Sequence, residues 1–276
     1  AGWNIRKAFE IFLEFCRSGY IREEDIFERQ VSSGQPLSHG VVAKVLLRTN
    51  RRYYDGDQSF VKNLFQCVPT STVPCPFLRY WILAWLRTKT NETGPSGIRG
   101  YHRQEQLVED LLIVGVPPEA AREEIRYLAK GSCLLPEHLR AESIADGDLI
   151  TITPAGHVHL ELAHRDIAYL AACSEDAWVS SRELAETIRS RITMQPYFRG
   201  QSWGNLLANA HDFCTYLQGA QERVSLAQFL ANRDIPLQSV DFGKLRGEIE
   251  NHQTRRSTGW TAPHVQIVRD PPAEQK

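Results

Sequence analysis

A chain of 276 residues, 42% hydrophobic and 24% charged, carries enough apolar material for one large domain or two to three small ones, and its composition excludes wholesale disorder. A net charge of −1 excludes a global positive field, so attraction to nucleic acid has to come from a local patch. The six cysteines (Cys16, Cys67, Cys75, Cys133, Cys173 and Cys214) include no Cys-x-x-Cys pair and sit mostly in apolar helical patterns, which points to buried free thiols in a reducing, cytoplasmic setting. No basic-then-apolar leader pattern is present, and the longest apolar runs, Tyr80–Leu86 and Leu111–Val116, are far short of a membrane span.

In chain order, the opening "NIRKAFEIFLEFCRSGY" places Ile5, Phe9, Phe12, Leu13, Phe15 and Cys16 at helical spacing before Gly19, which predicts an amphipathic helix. A second helix is expected over roughly residues 38–47, followed by the turn-forming "RTNRRYYDGDQS". The three prolines of "CVPTSTVPCP" mark a boundary near residue 70. "FLRYWILAWLRTK" is apolar nearly all round and reads as a buried helix; Trp81, Trp85, Tyr53 and Tyr54 read as core or hinge residues and not as base-stacking platforms.

Next, "TGPSGIRGY" is a turn with room for one short strand, and "RQEQLVEDLLIVGV" is a helix. "PPEAAREEIRYLAKGS" is another helix, with proline at its start and Gly131 at its end. "CLLPEHL" and "LITIT" alternate as strands around the acidic turn "RAESIADGD", and Pro154–Cys173 closes as a helix. Beyond it, Ser180-x-x-Glu183 has capping-box spacing and opens a helix carrying Leu184, Ile188 and Ile192. "WGNLLANAHDFCTYL" puts Leu206, Ala210, Phe213, Cys214 and Leu217 on one face, and "SLAQFL" reads as a further short helix. From about His252 periodicity fades, which predicts an extended or disordered tail.

The expected fold class is therefore mainly α with a small β-wing. Residues 1–70 form a helical segment, 71–176 a central domain, 177–251 a C-terminal helical bundle and 252–276 the tail. The order helix, short strand, helix, helix, strand–loop–strand, helix over residues 71–176 resembles the winged-helix superfamily, in which a "T-P-A-G" step commonly leaves the second wing strand. Fold alone does not fix function.

Three kinds of chemistry can be weighed. His157, Glu161 and His164 share a helix face with His159 pointing elsewhere, and such a line could bind zinc given one more ligand. No His-Glu-x-x-His motif or fourth ligand of suitable spacing accompanies it, so the line reads as polar residues on the exposed side of a packing helix. No phosphate-cradling glycine motif is present, because "GPSGIRG" lacks a strand-to-helix context, and no Gly-x-Ser-x-Gly elbow is present. The acid pairs Glu23–Glu24 and Glu123–Glu124 read as solvated. The chain is not expected to be an enzyme by itself or to hold a cofactor.

"WNIRKAFEIF" (residues 3–12) resembles the start of the lid subdomain in AAA+ ATPases, although Trp3 replaces the usual acidic or small residue. The resemblance implies that Arg6, with Lys7 beside it, senses the γ-phosphate of ATP–Mg bound by a preceding core. A guanidinium suits that role because it is planar and keeps its charge. A lid followed by a winged helix is also the order in origin-recognition and related AAA+ or STAND-type ATPases of bacteria and archaea. The implied function is a non-catalytic C-terminal regulatory region whose winged helix contacts DNA, a protein partner or the ATPase core.

The alternatives are a free-standing DNA-binding transcriptional regulator and a metal-dependent enzyme built on His157, Glu161 and His164. In a DNA-reading winged helix, the helix over 117–131 would expose Glu119, Arg122, Glu123, Arg126 and Lys130, with Arg99, His102 and Arg103 nearby. Three bases against two acids, beside a wing with four acids and one arginine, make a poor phosphate footprint.

Overall fold

The structure, a computed structural model, describes residues 62–67, 75–94, 97–137, 144, 147–176, 179–191, 203–230 and 239–257, together with residues 5, 9, 12 and 13. The boundary expected near residue 70, the helix expected over 38–47, Tyr53, Tyr54, Glu23, Glu24 and Cys16 lie outside the described residues. So do the sensor candidates Arg6 and Lys7. Ile5, Phe9, Phe12 and Leu13 are helical, as their spacing predicts, and their side chains are exposed.

The described fold is mainly helical with a three-stranded antiparallel sheet. Helix α1 (Leu78–Thr88) is its axle. Leu78 and every residue from Tyr80 to Leu86 are buried, because this apolar surround is covered by α3 on one side, α4 on another and the sheet on a third. The Thr90 hydroxyl donates to the Leu86 carbonyl at the helix end, and the Thr88 hydroxyl adds a second donor to the Trp85 carbonyl, which also accepts from the Lys89 N–H. After a turn, β1 (His102–Arg103) leads into α2 (Gln104–Ile113), which stops at Gly115 with φ +84. Helix α3 (Pro118–Lys130) begins on proline, whose missing N–H costs nothing in a first turn.

Strands β2 (Leu134–Pro136) and β3 (Leu149–Ile152) follow. The sheet order is β1-β3-β2, with His102 opposite Ile150 and Leu135 opposite Thr151. Thr153 caps α4 (Pro154–Arg165): its hydroxyl oxygen accepts from the Gly156 N–H at 3.1 Å and donates to the Ser132 carbonyl at 2.6 Å. Gly156 is needed here, since a Cβ would stand 2.3 Å from the Cys133 carbonyl oxygen.

Four expectations change. Pro154–Cys173 is two helices, because Asp166 leaves helical geometry and its carboxylate accepts from the Tyr169 N–H at 2.8 Å, starting α5 (Ile167–Asp176). The cap of α6 (Arg182–Arg191) is Ser181, whose Oγ accepts from the Leu184 N–H; Ser180 instead meets the Tyr216 hydroxyl at 2.9 Å. "SLAQFL" is the last part of one long α7 (Trp203–Leu230) and no separate helix. Helix α8 (Phe242–Ser257), capped by Asp241, carries regular structure past His252 into the expected tail.

One apolar core runs from Leu64 to Ile249, across the division expected at 176–177, with α5 and α8 both packed on α7. Ala210, Phe213, Cys214 and Leu217 line the buried face of α7 as their spacing predicts. Five cysteines (Cys67, Cys75, Cys133, Cys173 and Cys214) are buried free thiols. Among the described residues no helix is long and apolar enough to cross a membrane.

Candidate functional site

The outer face of α3 carries the residues weighed for nucleic-acid or partner contact. Glu119, Glu123, Arg126 and Lys130 are exposed, and Arg122 is half-buried with a guanidinium nitrogen 3.6 Å from the Glu119 carboxylate. Arg99 is exposed and donates to the Asn91 side-chain oxygen at 2.6 Å, and Arg103 is exposed at the start of α2. His102 does not join them. It is 3% exposed, its Nε2–H donates to the Lys89 carbonyl at 2.9 Å, and its ring stands edge-on to Trp85 at 5.7 Å. The strand alternation explains this, since β1 turns His102 inward where it turns Arg103 outward.

Glu124 is also not solvated. The helical period puts it with Ala120, Ala121, Ile125 and Leu128 on the buried face of α3, where the Arg79 guanidinium grips both carboxylate oxygens. That guanidinium lies 3.8 Å from the centre of the Tyr127 ring and donates to the Asn63 carbonyl at 3.2 Å. A charge expected to face water thus fixes α3 to α1.

The histidine line lies on α4, as its helical reading required, and a third element meets it. Arg87 from α1 donates to Glu161 at 3.3 Å and to His164 Nε2 at 3.4 Å. Because a guanidinium only donates, His164 Nε2 presents its lone pair, which also accepts from the Tyr80 hydroxyl at 2.9 Å. The other Glu161 oxygen faces Arg165 at 3.4 Å. The imidazoles of His157 and His164 are both held below their ordinary pKa, first by burial and then by the Arg87 charge. The Glu161 carboxylate and the His164 Nε2 lone pair are thus turned to cationic or hydroxyl donors. Among the described residues no three His, Cys, Asp or Glu side chains converge to hold a metal ion.

His159, which the sequence reading set aside, belongs to a different and fully buried polar joint. Its Nδ1–H donates to the Ala155 carbonyl at 2.6 Å, and its Nε2 accepts from the Lys62 backbone N–H at 2.9 Å. The Tyr169 hydroxyl donates to the Lys62 carbonyl at 2.8 Å and accepts from the Leu64 N–H at 3.1 Å. The Asn63 side chain donates to the Cys173 carbonyl at 3.0 Å. Burial holds the Tyr169 hydroxyl well above its usual pKa, so it stays a donor.

The Cys133 thiol lies 3.8 Å from His159 Nδ1, yet both ring nitrogens are already committed and neither can serve as its base. Cys75 and Cys214 are pushed up by burial to about 12, far from a reactive thiolate. No local sequence signal marks this joint, because its partners lie about a hundred positions apart. No protein-family model, curated protein or solved structure matches the chain.

Proposed function

We propose that the chain is a non-catalytic regulatory and interaction region of a P-loop ATPase, in which residues 71–176 act as a winged helix docking a protein partner or the ATPase core. The observation that carries the reading is topological: α1, β1, α2, α3, β2, β3 and α4 follow one another with sheet order β1-β3-β2. In a winged helix that order leaves the third helix and the strand-joining wing facing outward, where a partner is met.

Charge favours a protein partner over DNA. The outer face of α3 mixes Glu119 and Glu123 with Arg122, Arg126 and Lys130, and Arg122 is already shared with Glu119. The wing sequence is acidic, and His102 is spent in the core. Phosphate contact calls for a clear excess of basic residues. The ATPase assignment rests on the likeness of "WNIRKAFEIF" to a lid helix, with Arg6 as the nucleotide-sensing residue and Lys7 beside it.

The reading frame that encodes the chain tests this reading. A Walker-type core ahead of Ala1, with ATP hydrolysis that falls at least tenfold in Arg6→Ala, supports it. A start codon at that point, or an Arg6→Ala protein as active as wild type, overturns it.

A further inference from the structure

Residues Lys62–Cys67 have no regular secondary structure, yet Lys62, Asn63, Leu64, Phe65 and Cys67 are buried. Irregular backbone in a core must find partners for its polar groups. Here α4 supplies one through His159, α5 supplies others through Tyr169 and the Cys173 carbonyl, and α1 supplies Arg79. The Lys62 stem runs close against Gly131, where a Cβ would stand 2.6 Å from the lysine Cε.

Among these partners only His159 changes its hydrogen-bonding sense near neutral pH. Its tautomer is dictated on both sides. A carbonyl at 2.6 Å requires hydrogen on Nδ1, and a backbone N–H at 2.9 Å requires a lone pair on Nε2. A second proton on Nε2 would set N–H against N–H at the Lys62 contact. The described groups around the ring are these. The Lys62 ammonium lies over Tyr127 at 4.6 Å, the Cys133 thiol and Tyr169 hydroxyl are neutral donors, Cys173 is a buried thiol, and Glu124 is held by Arg79.

We propose that Lys62–Cys67 is a proton-sensitive strap, docked while His159 is neutral and released when the imidazole takes a second proton. The proposal stands on these contacts alone and does not require the winged-helix reading.

Hydrogen exchange on the full chain between pH 7.5 and 5.5, corrected for intrinsic rates, tests it. If only the open strap accepts the second proton, opening at residues 62–67 should rise as pH falls, by up to tenfold per pH unit below the ordinary imidazole range of ~6.5. Protection within α1 should persist. In His159→Gln the side-chain oxygen still accepts from Lys62 but cannot titrate, so the excess pH dependence should vanish. Tyr169→Phe should loosen the strap at every pH and keep the wild-type slope. A second readout is the ring itself, whose nitrogen shifts at pH 7.5 should report hydrogen on Nδ1 only. A flat wild-type profile, equal slopes in wild type and His159→Gln, a lost slope in Tyr169→Phe, or hydrogen on Nε2 at pH 7.5 would each overturn the proposal.

Discussion

The ring of Phe65 meets that of Phe242 edge-on at 5.8 Å, joining the irregular strap to the last described helix. The same ring also contacts Phe77, Tyr80, Tyr169 and Phe213, so one side chain reaches α5, α7, α8 and both the start and the body of α1. Phe65→Ala is therefore expected to cost about 3–5 kcal/mol, as deletion of a large buried aromatic does. Guanidinium unfolding followed by tryptophan fluorescence and by helical circular dichroism should show one shared transition moved to lower denaturant. A loss under about 1 kcal/mol would mean that the ring is not central to the core.

The Arg79–Glu124 pair should behave as a buried ion pair. Removing one partner strands a charge, so Arg79→Met is expected to destabilise by about 3–5 kcal/mol. The double variant Arg79→Met/Glu124→Leu should recover most of that loss, since two apolar groups leave no charge behind. Chemical denaturation of both variants and of Glu124→Leu gives the coupling energy. Additive losses would show that the two side chains do not depend on each other.

His157 and His164 set a pH dependence with a definite sign. Both are held below the ordinary 6.5, so their contribution is complete above that value. It is lost as pH falls below it, because the unfolded chain then takes up protons that the folded chain resists. Stability should fall between pH 7.5 and 5. Burial is the first cause and Arg87 the second, so Arg87→Met should move the His164 titration partway back toward 6.5 in proton NMR. An unchanged midpoint would show that the Arg87 charge is not felt there.

Much of this architecture was legible locally. Proline at the start and glycine at the end bounded α3, alternation marked β2 and β3, and the step through Thr153, Pro154 and Gly156 marked the start of α4. The Asp166 break was written as Asp-x-x-Tyr, an N-cap spacing hidden by the apolar period running through it. Glu124 was misread because adjacent acids suggested solvent, although its period with Ala120, Ala121 and Leu128 already placed it inward. The strap was not legible at all. Its apolar residues have no periodicity, and its partners on α4 and α5 are brought close only by the finished fold.

The central claim is that the outer face of α3 meets protein and not the DNA backbone. Fluorescence anisotropy of labelled duplex DNA against the purified chain, from 50 to 200 mM salt, tests it most directly. With mixed charge on α3 and an acidic sequence between β2 and β3, the expected Kd is no tighter than roughly 10⁻⁵ M at physiological salt, with a log–log salt slope shallower than about 3. A sequence-specific complex at about 10⁻⁸ M or tighter, with a slope steeper than about 5, would contradict it.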